Sequence, residues 1–309
     1  MRKIKTLQEM ILDLSGFWRD QGCVIHQPYD TEVGAGTMHP ETFFRSLGPR
    51  PWRVGYCQPS RRPVDGRYAD NPMRVYKHFQ YQVILKPSPP EVQELYLQSL
   101  EALGVDPRRH DVRFEEDNWE SPTLGASGVG WQVTMDGMEI SQFTYFQVMG
   151  GVDLRPVPVE LTYGMERLCM FLNDIRNIFD IPWARAGWAG DGFVRYGDLR
   201  WLAEREQSAY SFEEADVDKH RRQFEHAEGE ARRLLARERD GAPAALLVPA
   251  YERVLEASHL FNVLDARSAL SVTERQGMIQ RIRRLAVACA REWLAREESG
   301  AAENAEKAS

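Results

Sequence analysis

The spacing of hydrophobic residues changes character once along this chain, near residue 205. Before that point helical and alternating patterns are interleaved. Leu7, Ile11, Leu14 and Trp18 recur at helical spacing behind Thr6-Leu-Gln-Glu9, a capping-box signature, and Gly22 closes the segment. Short β-like runs follow at Cys23–His26, Trp52–Cys57 and Val75–Leu85, the last long and well alternated. Ser88-Pro-Pro-Glu91 opens a second helix carrying Val92, Leu95, Leu100 and Leu103, and Gly104 ends it. Strands are expected again at Val112–Glu115, Gly130–Met135 and Met138–Val148. Asp136-Gly137 joins the last two, because this dipeptide suits the positive φ angles of a tight hairpin. Pro156 and Pro158 lead into Leu161–Leu172, which reads as helical.

Adjacent strands joined by hairpins, with helices set apart, predict an α+β fold built on an antiparallel sheet. Beyond residue 205 only helical periods occur, over 213–239, 249–266 and 271–297. Ser271-Val-Thr-Glu274 caps the last, and Met278, Ile282, Leu285, Cys289 and Trp293 supply its apolar stripe. The expected domains are therefore a catalytic unit over 1–205 and a helical unit over 206–298. An Ala/Glu-rich tail over 299–309 reads as frayed. Internal repeats are not apparent.

Composition narrows the class. A chain of 309 residues has length for two domains and a sizeable core. Mean hydropathy is -0.50 and no apolar run approaches the ~18 residues of a membrane span, so a soluble chain without membrane contact is expected. The start, Met1-Arg-Lys-Ile-Lys5, lacks the apolar core of a secretory signal, which favours the cytoplasm. Net charge is -7, and neither half is basic enough to hold nucleic acid by counterion release alone. Cys23, Cys57, Cys169 and Cys289 are scattered, and the seven histidines form no ligand pair, so no zinc site is expected.

Familiar nucleotide signatures are missing. There is no Gly-x-x-x-x-Gly-Lys-Ser/Thr cradle, and Gly125-Ala-Ser-Gly-Val-Gly130 has the wrong spacing for a dinucleotide fingerprint and reads as a loop. Gly34-Ala-Gly36 is weak by itself. In their place stand two segments rich in arginine, amide and carboxylate groups. Gln58–Gln82 carries paired arginines at a strand end, a turn-rich loop and a second strand. Glu160-Leu-Thr-Tyr-Gly-Met-Glu-Arg167 places an acid and an arginine about a glycine at a helix entrance. Arginine forks match phosphate oxygens in pairs, and a helix N-terminus adds positive field.

These segments look like motifs 2 and 3 of class II aminoacyl-tRNA synthetases. From about Leu7 to Trp293 the chain resembles the α-subunit family of bacterial-type heterotetrameric glycyl-tRNA synthetases. Specific stretches include Glu32–Pro40, Gln58–Arg67, Glu116–Pro122, Asp136–Gln147 and Leu264–Arg275. The resemblance implies a class II antiparallel catalytic sheet flanked by helices, followed by a helical bundle. It implies ATP-dependent activation of glycine and transfer of the glycyl group to tRNA-Gly.

Residue roles follow from the same resemblance. Arg61 is the first choice for the α-phosphate arginine and Arg62 the second. Arg74-x-x-x-His78-x-x-x-Gln82 fits the remainder of motif 2, with His78 at the adenine-stacking position, where the class prefers Phe or Tyr. Arg167 is the expected γ-phosphate ligand. Glu139 and Gln142 lie where the class holds nucleotide and Mg²⁺, with Glu139 the metal candidate because Gln132 replaces a carboxylate common in the family. Glu160 is the natural partner of the glycine ammonium; Gln80 and Gln82 supply amide dipoles, and Thr37, Trp119 and Thr162 narrow the site. The bland alternatives are sheet packing for the strand residues, a salt bridge for Arg167 and structural roles for Trp119 and Thr37. Expected partners are a second α chain and a β subunit that carries most tRNA recognition, as α2β2. Two competing readings are an adenylating amide ligase that never meets tRNA and a non-catalytic paralog. Intact Arg61, Glu139, Glu160 and Arg167 count against the paralog, and the helical extension counts against the free-standing ligase.

Overall fold

The computed structural model describes residues 4–239 and 241–308. In chain order the elements begin with α1 (Leu7–Asp20), β1 (Val24–Ile25), α2 (Pro40–Phe43), β2 (Trp52–Arg61), β3 (Lys77–Lys86) and α3 (Val92–Ala102). Four further strands, β4 (Val112–Ser121), β5 (Ala126–Met135), β6 (Met138–Met149) and the short β7 (Val152–Asp153), precede β8 (Val159–Gly164). Five helices follow, with two short ribbons among them (Pro182–Arg185 with Phe193–Arg195, and Glu238–Arg239 with Ala242–Pro243): α4 (Met165–Asn173), α5 (Tyr196–Ala209), α6 (Val217–Leu235), α7 (Leu247–Ala266) and α8 (Val272–Ala308). No described helix is long and apolar enough to cross a membrane.

One sheet organises the molecule, in the order β1-β2-β3-β8-β6-β5-β4, with β7 added beside β6. Only the β1–β2 pair is parallel. Side chains alternate across a sheet, so register decides which residues share a face. Gln58 lies opposite Gln80, Gln82 opposite Thr162, and Thr162 opposite Gln142. Glu160 pairs with Thr144, Thr144 with Gly130 and Gly130 with Asp117. Polar residues from five strands are thereby gathered on one face.

The opposite face is apolar. Tyr81, Val83, Leu85, Phe143, Leu161 and Tyr163 pack against α1, α3 and α4 in one core with Leu7, Leu14, Trp18 and Tyr96. Burying each such side chain is worth roughly 1.5–3 kcal/mol, which holds the sheet against its helices. On the polar face, helices α6, α7 and α8 cover the remaining apolar ground around Val54, Tyr56, Ile84 and Phe146. Half of that face stays uncovered, and there the site forms. Lys86 is a buried cation at this seam. Its ammonium donates to the carbonyls of Arg45, Leu47 (2.8 Å) and Gly48 (3.1 Å), and burial lowers its pKa to about 8.

Several expectations change. Leu161–Leu172 is not one helix: β8 runs to Gly164 and α4 starts at Met165. The apolar run satisfies either period, and the free edges of β3 and β6 recruit its first half. Ala126–Gly130, read as a loop, belongs to β5. Its glycines let strands approach closely; a Cβ on Gly130 would lie 2.1 Å from the Phe143 carbonyl oxygen. The expected boundary at 205 falls inside α5, and α8 continues to Ala308 through the segment read as a tail. Ser309 lies outside the described residues.

Candidate active site

A cavity of about 270 Å³ opens on the uncovered half of the polar face, between the β2–β3 loop, β6, β8 and the start of α4. Arg62, Arg74, His78, Gln80, Glu139, Gln142, Thr162 and Arg167 all line it. Strand parity explains most of the set: His78 and Gln80 alternate with the buried Phe79 and Tyr81, and Thr162 sits across from Gln142. Arg167 enters from the first turn of α4, whose N-terminal peptide groups carry partial positive charge. The cavity is therefore cationic on two sides.

Arg61 departs from its expected place. It leaves β2 on the other side of the strand, pairs with Glu32 at 3.1 Å and lines a separate cleft with Lys77 and Arg200. Arg62 is the arginine in the cavity. It is anchored by its Nε donating to the Gly34 carbonyl at 3.1 Å, and its desolvation lowers its pKa. One step along a strand reverses the side, so the choice between adjacent arginines was a matter of parity. Trp119, on the same face as Asp117, packs on Phe146 with ring centroids 5.2 Å apart, against the core shared with the C-terminal helices. Like Thr37, Gln82 and Glu160, it is not among the residues that line the cavity.

Arg167 and Glu139 form an ion pair at 2.6 Å at the cavity wall, both half exposed. Gln142 donates to Asp117 at 2.5 Å, and Gln132 donates to Glu115 at 2.8 Å. His78 is held neutral: burial, then the Arg62 and Arg167 guanidiniums, press its pKa down to about 3. Arg74 is 3.7 Å from Asp65, with its side chain largely exposed.

Beside the cavity lies a closed polar cluster. Glu160 is buried, and Thr37 covers it by donating its hydroxyl to Oε1 at 2.7 Å. Gln82 accepts from Thr162 at 3.1 Å and reaches toward the Thr37 hydroxyl at 3.5 Å. Burial, only partly offset by these hydrogen bonds, raises the Glu160 pKa to about 7. The loop carrying Thr37 is fixed from below, since the Gly36 N–H donates to Gln80 at 2.9 Å and Ser60 donates to the same oxygen at 2.8 Å. Gly36 has to be glycine here: a Cβ would stand 2.6 Å from Gln82 Oε1.

Sequence reasoning passed over three participants. Glu166 lines the cavity and accepts from the Phe79 N–H at 2.9 Å and from the Tyr196 hydroxyl at 3.1 Å; burial raises its pKa to about 7. Its need is topological, because β8 ends at Gly164 and leaves that N–H of β3 without a strand partner. Asp117 was legible in the two-residue period Glu115-x-Asp117-x-Trp119. The Gly34–Gly36 loop became informative only once folded over Gln80 and Gln82.

An antiparallel sheet thus carries two arginines on one cavity, with a buried carboxylate beside it. Comparison with known proteins narrows this. The family model for the glycyl-tRNA synthetase alpha subunit matches residues 7–298. A glycine–tRNA ligase alpha subunit from Coprothermobacter proteolyticus is 55% identical over 293 residues, covering 95% of this chain and 96% of the relative. The chain belongs to the glycyl-tRNA synthetase alpha subunit family. Among solved structures, a pyrrolysyl-tRNA synthetase from Desulfitobacterium hafniense matches with a TM-score of 0.42 and 16% identity, covering 62% of this chain and 74% of that one. A second structure of the enzyme from that organism gives 0.38 and 15%, covering 62% and 76%.

Proposed function

We propose that this chain is the catalytic subunit of a glycine–tRNA ligase, activating glycine with ATP and passing the glycyl group to tRNA-Gly with a β subunit. The observation that carries the reading is the convergence of Arg62 and Arg167 on one cavity beside the buried carboxylate of Glu160. Two cations answer a triphosphate, and a sequestered carboxylate answers an ammonium.

A glycine carboxylate oxygen attacks the α-phosphorus of ATP; the bond to the bridging oxygen breaks and pyrophosphate leaves. The terminal ribose hydroxyl of tRNA then attacks the glycyl carbonyl, loses its proton and displaces AMP. Neither step uses a protein nucleophile, so catalysis is positioning and charge stabilisation. Arg62 takes the α-phosphate role, in place of Arg61, and Arg167 the γ-phosphate role. His78, neutral and facing the cavity, fits the purine, with Arg74 and Gln142 at the nucleotide's edges. Thr37, Gln80, Gln82 and Thr162 hold Glu160 for the ammonium and leave little room beyond an α-carbon.

Among the described residues no three His, Cys, Asp or Glu side chains converge as a metal cage. Glu139 at the cavity wall fits a hard cation held mainly by phosphate oxygens, the usual manner of Mg²⁺ with ATP. Such a cation neutralises charge on the leaving pyrophosphate. A homodimeric α core within α2β2 and a cytoplasmic site of action complete the proposal.

Glycine-dependent ATP–pyrophosphate exchange, followed by tRNA charging with and without a co-purified β subunit, tests the reading. Exchange supported by another amino acid but not by glycine would sink it.

A further inference from the structure

Thr37 covers Glu160 from a loop, and that loop is tied to the rest of the molecule from two directions. From the sheet, the Tyr56 hydroxyl donates to the Gly36 carbonyl at 3.0 Å, and Gln80 accepts from the Gly36 N–H. From the C-terminal helices, Tyr251 of α7 donates its hydroxyl to the Met38 carbonyl at 2.9 Å. Tyr251 is fully buried, and its ring stacks on Phe43 with centroids 4.8 Å apart and planes 19° apart. Thr37 sits between the two tethered carbonyls, in the single turn Gly36–Met38. The same helix also meets the segment before this loop, where Glu252 accepts from the Tyr29 hydroxyl at 3.1 Å.

We infer that Tyr251 is a positioning residue for glycine: the helical half of the chain sets the height of Thr37 over Glu160 and with it the size of the amino-acid pocket. The inference rests on the reading of Glu160 as the ammonium partner. Physically, the pocket discriminates by exclusion, and exclusion works only against a wall that does not yield. Losing one buried hydroxyl costs about 1 kcal/mol of loop order, a factor of roughly 5 in an equilibrium, while the ring's packing is kept by phenylalanine. The nucleotide cavity has no contact with Tyr251, so ATP use should be spared.

The test is ATP–pyrophosphate exchange with the assembled enzyme carrying Tyr251→Phe, measured against glycine, alanine and ATP in turn. The expected result is a glycine KM raised about 5-fold, an ATP KM within 2-fold of normal, and a smaller preference for glycine over alanine. An unchanged glycine KM, or equal rises for glycine and ATP, overturns the inference. Glu160→Gln run in parallel separates the two claims. If it impairs glycine use while Tyr251→Phe leaves it intact, the positioning role falls and the ammonium site stands. If Glu160→Gln itself is silent toward glycine, both fall. Should Tyr251→Phe not accumulate as folded enzyme, Tyr56→Phe removes the opposite tether of the loop and must give the same split between glycine and ATP; a variant that spares glycine there counts equally against the inference.

Discussion

Arg167 and Glu139 face each other across 2.6 Å at the cavity wall, each satisfying the other. On the proposed reading a triphosphate with its cation would part them, the guanidinium turning to phosphate and the carboxylate to metal. Partial exposure makes the pair cheap to open, because solvent-screened ion pairs contribute little. Arg167→Ala should lower the rate of glycine activation by on the order of 10²-fold or more. Near-normal exchange in that variant would show that this arginine does not meet the nucleotide.

The neighbouring arginines at the end of β2 give a sharper contrast. Arg62→Ala should cost on the order of 10²-fold in exchange, while Arg61→Ala should change it by less than about 5-fold. Steady-state exchange rates of the two variants, side by side, decide the matter. The reverse order would return the α-phosphate role to Arg61.

If Glu160 meets the glycine ammonium as proposed, glycine use should depend on pH. Desolvation lifts its pKa to about 7, so below that value the ligand-free carboxyl carries a proton that the incoming ammonium must displace. Binding then releases a proton, and glycine affinity rises with pH up to about tenfold per unit before levelling above pH 7. Glycine KM measured between pH 6 and 8.5 checks this, with Glu160→Gln expected to flatten the profile. The same shift has the opposite sign for the empty protein. A carboxyl whose folded pKa lies above its unfolded value favours folding at low pH, and that contribution is lost as pH rises from about 4.5 toward 7.

Gly36→Ala tests the closeness of the loop to the sheet. A methyl group 2.6 Å from Gln82 Oε1 forces the amide or the loop to move. The expected outcome is a glycine KM raised by roughly tenfold or more, with ATP KM little changed, because the amide is part of the ammonium cluster and not of the nucleotide cavity. Equal effects on both substrates would place the strain elsewhere.

Lys86 lies outside the cavity lining and ties the end of β3 to the Arg45–Gly48 segment. Replacing it by methionine takes the donor from one buried and two part-buried carbonyls, and a loss of about 3 kcal/mol is expected in urea unfolding. Exchange activity per folded molecule should stay near normal.

How much of this could be read along the chain depends on whether the signal was local. Capping boxes at Thr6 and Ser271, the Asp136-Gly137 hairpin and the C-terminal stripe from Met278 to Cys289 are set by neighbours a few residues apart, and all were legible. The arginines, amides and acids of the two motif-like segments were likewise visible as candidates and pointed to the family. Which of Arg61 and Arg62 faces the cavity turned on the register of β2 against β3, and register belongs to the pair of strands. The split of Leu161–Leu172 at Gly164 required the edges of β3 and β6, since an apolar run alone is consistent with either period. Glu166 gained its role only because β8 stops one residue too early for Phe79. The covering of Glu160 by Thr37 joins residues 123 positions apart. Sequence by itself determined most of the elements, the chemistry available and the family; long-range contact decided the rest of the elements and which groups meet, because burial and hydrogen-bond geometry exist only between segments brought together by the fold.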